Sequence, residues 1–226
     1  MAVKAVLFDL DGTLLPLDQN AFMKYYFGGL ARKLAPRGYD PKSLIDAIWA
    51  GTAAMVKNDG SRMNEDAFWE VFRGIYGDKA QEDVPYFDAY YREDFETVKA
   101  ASGYDPLARK AVETVKRKGL TAVLATNPLF PSVATEARAR WAGLDTSEFA
   151  LVTTYENTGY CKPNPRYYLD ITERIGVSPK ECVMVGNDVS EDMIAETVGM
   201  QVFLLTDCLL NKEVKSVPLD YPSENL

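Results

Sequence analysis

Short, nearly unbroken apolar runs alternate along this chain with longer stretches in which apolar residues return every three or four positions. The runs occupy 3–9, 121–126, 150–154, 182–185 and 201–205. Each is too short for a helix buried all round and suits a strand covered on both faces. Between them Leu107, Ala108, Ala111, Val112 and Val115 repeat at helical spacing, as do Tyr168, Ile171, Thr172 and Ile175. Asn164-Pro165 opens the second of these helices and Gly176 closes it, in keeping with capping preferences. Strand and helix alternate from about residue 105, which predicts an α/β fold: a parallel sheet with helices on both faces. Right-handed crossovers then bring every strand's C-terminal end to one edge, the edge where such folds bind ligands.

Residues 17–98 break this rhythm. Phe22, Tyr25, Tyr26 and Leu30 fit one helix; Leu44, Ile45 and Ile48 a second; Phe68, Val71, Phe72 and Ile75 a third; Phe87, Tyr90, Tyr91 and Phe95 a fourth. No strand is expected there. The predicted organisation is a sheet-containing core formed by 1–16 and 99–226, with an all-helical module, 17–98, inserted after the first strand. Its aromatics read first as core. Pro218 and Pro222 suggest that the chain's last residues are extended.

Composition narrows the chemistry. With no histidine in 226 residues, Ser-His-Asp and Cys-His catalysis, histidine-ligated zinc and phosphohistidine are all excluded. Catalysis must then rest on carboxylates, Lys, Thr, Tyr or a hard metal. Cys161, Cys182 and Cys208 are odd in number and widely spaced, so neither a disulfide framework nor a thiolate metal site is expected. A formal charge of -8 disfavours a nucleic-acid partner. The densest basic run, Lys116-Arg117-Lys118, reads as a solvated helix end before Gly119. No apolar run is long enough to span a membrane and no secretory pattern is seen, so a cytoplasmic protein without a membrane partner is expected.

Four segments carry candidate chemistry. Asp9-Leu10-Asp11-Gly12-Thr13 places two carboxylates at the end of the first strand, where strand alternation would aim them the same way. Carboxylates this close need a cation or a shared proton. The alternative for this segment alone is a pair of turn-forming acids. Val183-Met184-Val185-Gly186-Asn187-Asp188, with Asp192 four residues on, would bring a second acidic cluster to the same edge, as suits a magnesium ion. Thr126-Asn127 closes a third strand before Pro128, and its hydroxyl and backbone amides could accept an anion. Lys162 precedes a helix start, where its ammonium could reach phosphate oxygens.

In order and context these segments resemble the haloacid dehalogenase-like hydrolase superfamily: Asp9 to Thr13 as the first motif, Thr126 the second, Lys162 the third, Asp188 with Asp192 the fourth. The resemblance covers roughly residues 3–15 and 100–206 and implies a Rossmann-like core with an inserted helical cap. It implies a magnesium-dependent phosphatase acting on a small phosphorylated metabolite. Asp9 would attack phosphorus to form an aspartyl-phosphate, and Asp11 would protonate the leaving oxygen and then activate water. Magnesium would be bound by the Asp9 and Asp188 carboxylates and the Asp11 backbone carbonyl. Thr126 and the Asn127 backbone would hold phosphoryl oxygens, Lys162 would offset their charge, and Asp192 would orient Lys162 or a metal-bound water. Asn187 departs from the family pattern, in which the acid often follows the glycine directly.

Halide-displacing members of the family lack the second acid of the first motif, so Asp11 disfavours dehalogenation. Phosphonate hydrolysis would require an imine-forming lysine in the insert, where Lys24, Lys33, Lys42 and Lys57 lie. Phosphomutase chemistry is weakened by the missing histidine, and a non-catalytic phosphate or metal sensor stands as an alternative of another class. A dinucleotide-binding domain lacks its glycine-rich turn. Leaving-group contacts are expected from the insert, with Lys57, Arg62 and the aromatics near Tyr25 as conceivable contributors.

Overall fold

A computed structural model describes residues 2–213; the extended segment expected around Pro218 and Pro222 lies outside the described residues. Five strands, β1 (Ala5–Phe8), β2 (Thr121–Leu124), β3 (Leu151–Val152), β4 (Cys182–Gly186) and β5 (Gln201–Leu204), fall within the apolar runs or extend them by one residue. All neighbours pair in parallel, in the order β3-β2-β1-β4-β5. The chain therefore fills one side of β1 with β2 and β3, then returns to the other side with β4 and β5. This reversal at β1 opens a crevice beyond the C-terminal ends of the central strands.

Between β1 and β2 the chain forms α1 (Gln19–Leu34), α2 (Pro41–Val56), α3 (Asn64–Tyr76) and α4 (Asp78–Ala89), then a π turn at Tyr90–Asp94 and a 3-10 stretch at Phe95–Ala101. The sheet is flanked by α5 (Pro106–Arg117), α6 (Ser132–Trp141) and α7 (Pro165–Ile175). Three helices open alike, with an Asp or Asn cap before proline: Asp40-Pro41, Asp105-Pro106 and Asn164-Pro165. The cap side chain accepts an otherwise orphaned N–H, and proline's fixed φ suits the first turn. No helix among the described residues is long and apolar enough to cross a membrane.

Every residue of β1 is buried, and its alternating side chains feed two different cores. Val6 and Phe8 join Ala122, Leu124 and Val185 on one face. Ala5 and Leu7 join Val123, Met184 and, from α7, Tyr167, Tyr168 and Ile171 on the other. The first of these cores continues without a break into the inserted helices through Phe22, Tyr26, Phe95 and Trp141. The Phe95 and Trp141 rings stack at 5.3 Å, linking insert to α6.

The insert departs from its expected pattern in two ways. Tyr25, Ile75 and also Leu107 of α5 are exposed, because Tyr26, Phe72 and Ala108 take the inward positions and the apolar stripe is narrower than the raw repeat suggests. The fourth repeat, Phe87 to Phe95, is not one regular helix. Pro85 gives the ladder no N–H, and the following π turn rewinds the chain so that Tyr90 and Phe95 both reach full burial.

Asp83 on α4 is wholly buried and paired with Lys79 and, at 2.7 Å, with Arg37 beyond the end of α1. Burial opposes its charge, but Lys79 and Arg37 together hold its carboxyl below the ordinary aspartate range. A depressed carboxyl stabilises the fold above its unfolded value and loses that contribution as pH falls through the folded one. Asp83→Asn is expected to lower stability by about 2 kcal/mol at pH 7, with the half-exposed partners tempering the cost. Denaturant titrations should see this difference close below about pH 4; a difference undiminished at pH 3 would show that the charge is not its source.

Candidate active site

β1 delivers Asp9, whose backbone N–H still donates to the Val185 carbonyl at 2.9 Å. Beyond it the chain turns: Gly12 N donates to the Leu15 carbonyl at 2.7 Å, and Leu15 N to the Leu10 carbonyl at 2.8 Å. Regular strand geometry ends at Phe8, so Asp9 and Asp11 share a cavity by way of this turn, not by strand alternation as the sequence suggested. Gly12 has φ 87°, and any Cβ there would overlap the Asn187 side chain. Only glycine fits both demands.

The cavity, of about 370 Å³, lies at the C-terminal edge of the sheet. Asp9, Asp11, Thr126, Asn127, Asp188 and Asp192 all line it, so six of the seven residues singled out from sequence converge there. The seventh, Lys162, is placed behind the wall. Its side chain is 1% exposed, with Nζ 2.8 Å from Asp9 Oδ1 and 2.6 Å from Asp192 Oδ1.

Burial alone would depress the Lys162 ammonium, but Asp192 and Asp9 outweigh it and hold the group well above its ordinary value. Burial meanwhile pushes Asp192 up to about 7 against the pull of Lys162, so the two partners' tendencies conflict. The hydrogen bonds decide for the ion pair. Asp192 Oδ1 accepts from Lys162, while Oδ2 accepts from the backbone N–H groups of Asn187 (3.1 Å) and Asp188 (3.0 Å). Every bond uses the carboxyl as an acceptor, which favours its charged form. Gly186 makes this approach possible, since a Cβ there would overlap the Asp192 carboxylate.

The loop after β4 is fixed by its own side chains. Asp188 Oδ1 accepts from Ser190 N (2.8 Å), Ser190 Oγ (2.8 Å) and Glu191 N (3.0 Å), and Oδ2 accepts from Asn211 Nδ2 (2.7 Å). Asn187 is a brace: its Oδ1 accepts from Thr13 Oγ1 at 3.0 Å and its Nδ2 donates to the Cys208 carbonyl at 2.7 Å. Asn127 likewise ties loops together, accepting from Lys162 N at 3.2 Å and donating to Glu191 Oε2 at 3.0 Å. The Thr126 carbonyl accepts from Thr153 Oγ1 and Tyr167 OH, at 2.7 and 2.8 Å, which orients the end of the second strand.

Two charged wall residues were missed from sequence. Glu191 is pushed up to about 7 by burial, with Lys162 opposing and Asp188 and Asp192 adding to the rise. Arg138, 1% exposed, pairs with Asp11 Oδ2 and lies 4.6 Å over the Phe130 ring. Its Nε donates to the Ala134 carbonyl and its Nη2 to Thr135 Oγ1, each at 3.3 Å. The available signal was helical phase: Arg138 lies on the face of α6 that carries Ala134 and Trp141, both buried. Asp11 is raised by burial, with Arg138 opposing and Asp9 adding. Its Oδ1 is buried and has no hydrogen-bond partner among the described residues.

Among the described residues, five carboxylates line the cavity, those of Asp9, Asp11, Asp188, Glu191 and Asp192, against the one guanidinium of Arg138. Such an excess of hard oxygen donors fits a divalent cation such as magnesium. Among the described residues no group of three acidic, cysteine or histidine side chains forms a ready-made cage. The residues that could hold a cation there include the Asp9 and Asp188 carboxylates, with main-chain oxygens beside them. In the insert, Lys33 is paired with Glu93 and Asp94, Lys42 with Asp46 and Arg62 with Glu70. Neither these residues nor Lys24, Tyr25 and Lys57 line this cavity.

A family model described as haloacid dehalogenase-like hydrolase matches residues 3–195. A Mycobacterium tuberculosis protein named as a phosphatase is 26% identical over 211 residues, 91% of this chain and 88% of its own length. The chain spans only 17% of another curated relative, from Mus musculus. Among solved structures, a 2-haloacid dehalogenase from Pseudomonas syringae superposes with a TM-score of 0.59 at 23% identity, covering 96% of this chain and 90% of that one. A Bacteroides thetaiotaomicron enzyme of the same family, solved with magnesium and inorganic phosphate, gives 0.54 at 16% identity, covering 91% and 95%. At these identities the structural likeness concerns the fold.

Lys162→Met would leave the buried Asp9 and Asp192 carboxylates facing each other and is expected to cost about 3–5 kcal/mol in thermal unfolding. Adding Asp192→Asn should recover part of that loss. Strictly additive destabilisation in the double variant would mean that the two groups are not coupled.

Proposed function

The chain belongs to the haloacid dehalogenase-like hydrolase family, and on that premise we propose that it hydrolyses the phosphate monoester of a small metabolite, using Asp9 as nucleophile and magnesium as cofactor. The observation that carries this reading is the convergence of Asp9 and Asp11 on one carboxylate-rich cavity, with Lys162 held behind Asp9. A phosphatase among its relatives and a family member solved with magnesium and phosphate support it. The partner is then a small phosphorylated molecule, not a nucleic acid or a membrane, and the protein acts in the cytoplasm.

In this mechanism an Asp9 carboxylate oxygen attacks phosphorus, and the bond from phosphorus to the ester oxygen breaks. The electron pair stays on that oxygen, which takes a proton from Asp11. Water then attacks the aspartyl-phosphate, Asp11 accepts its proton, and inorganic phosphate and the Asp9 carboxylate are released. Asp11 suits both steps: it lines the cavity beside Asp9, and Arg138 anchors its Oδ2. Burial favours its protonated form and Arg138 restrains that tendency, which keeps the group able to give and to take.

Lys162 neutralises and orients Asp9, and Asp192 fixes Lys162. Thr126 and the main chain at Asn127 receive phosphoryl oxygens at the end of β2. Bound magnesium, held by the Asp9 and Asp188 carboxylates and the Asp11 main-chain oxygen, would supply charge neutralisation for the phosphoryl group. The helices of 17–98 form the cap over this chemistry, where exclusion of water and choice of leaving group belong.

The direct test is release of inorganic phosphate from a generic aryl phosphate. The native chain should require magnesium, and Asp9→Asn should lose at least about 10³-fold in kcat/KM, as expected for removal of a covalent nucleophile. Activity retained in Asp9→Asn, at unchanged fold by circular dichroism, would remove Asp9 from that role.

A further inference from the structure

We propose that the alcohol half of the substrate is a small, uncharged, apolar group of about one ring or a short branched chain. This rests on the phosphatase reading above and deepens it. A second cavity of about 120 Å³ opens between the inserted helices and the core residues Leu129, Phe130, Pro131 and Tyr155. Phe27, Ile48 and Trp69 contribute to its walls, and Met23, Leu129 and Phe130 line both it and the catalytic cavity. A leaving group attached to a phosphate near Asp9 would therefore pass the Phe130 ring into an aromatic chamber. Its size approaches the roughly 150 Å³ apolar cavity that accommodates benzene.

The chamber's polar atoms are mostly engaged with one another. The Tyr26 and Tyr91 hydroxyls bond at 2.8 Å, and the Tyr155 hydroxyl interacts with Trp69. Asp88, the charged residue of its lining, is exposed at the rim. Among the described residues neither Lys nor Arg lines the chamber. Arg138, in the neighbouring cavity, is committed to Asp11, Ala134 and Thr135. A leaving group bearing a carboxylate would find no counter-ion here and would face the Asp88 charge. A polyhydroxylated one would bury more hydroxyls than the one uncommitted hydroxyl-bearing side chain of the lining, Thr52, could partner. An apolar group meets neither penalty and gains burial against aromatic walls.

With the magnesium-loaded native chain, kcat/KM for benzyl phosphate should exceed that for 2-phosphoglycolate and for glycerol 3-phosphate by at least about tenfold, the scale of discrimination an apolar pocket provides. Equal or reversed preference would overturn the proposal while leaving the phosphatase reading intact. Calorimetry with phosphonates, which this chemistry does not cleave, separates the two ideas. Benzylphosphonate should bind at least about tenfold more tightly than methylphosphonate, and equal affinities would overturn the proposal. Tighter benzylphosphonate binding without hydrolysis of any ester would sustain the chamber and sink the phosphatase reading. Thr52→Phe, which fills the chamber from α2, should weaken benzylphosphonate about tenfold; unaltered binding in a folded variant would count against the site.

Discussion

A single buried ammonium, that of Lys162 between Asp9 and Asp192, is the constraint around which the site is built. The two carboxylates could not share that space without it, and the ammonium could not be buried without them. The three groups come from separate parts of the sequence: Asp9 follows β1, Lys162 precedes α7, and Asp192 lies beyond β4. Satisfying them therefore fixes how these segments meet. The same requirement reaches into the backbone, because Asp192 also caps two N–H groups of the loop after β4 and needs Gly186 to come close enough. Tyr167 and Thr153, bonded to the Thr126 carbonyl, extend this frame to β2 and β3.

Much of this was legible in the sequence, for a physical reason. Strands covered on both faces must be apolar throughout, so β1, β2 and β4 stood out as runs, and the partly covered edge strands β3 and β5 still kept enough apolar residues to be read. Parallel pairing then brought their ends, with Asp9, Thr126 and Asp188, to one edge. The rest depended on contacts that no local pattern encodes. Strand alternation gave the right neighbours for the wrong reason at Asp11, which reaches the cavity through the turn at Gly12. Arg138 was hidden because an arginine in a helix is usually solvated, and only its phase against Ala134 and Trp141 marked it as buried. The π turn at Tyr90–Asp94 was equally invisible, since helical periodicity does not report a local change in winding.

The inserted helices are not loosely appended to the sheet. One apolar cluster runs from Val6 and Phe8 of β1 through Phe22 and Tyr26 of α1 to Phe72 and Phe87 deeper in the insert. Loss of packing in either part exposes the other, so the two are expected to share much of their stability. Ion pairs such as Asp83 with Arg37 and Lys79 then secure contacts within the insert that apolar packing alone leaves unspecific.

Phe130 occupies a position with consequences for how such a protein can change over time. Its ring packs edge-on against Phe22 and Tyr26, carries the Arg138 guanidinium on its face, and borders both cavities. A substitution that reshapes the chamber through this residue also disturbs the arginine that anchors Asp11. Substrate choice and proton transfer are thus joined by one side chain, and drift toward a new substrate along that route would require compensating changes at Arg138 before it could be tolerated. Evolution has more freedom on the chamber's far walls, where Ile48 and Thr52 touch no part of the catalytic cavity.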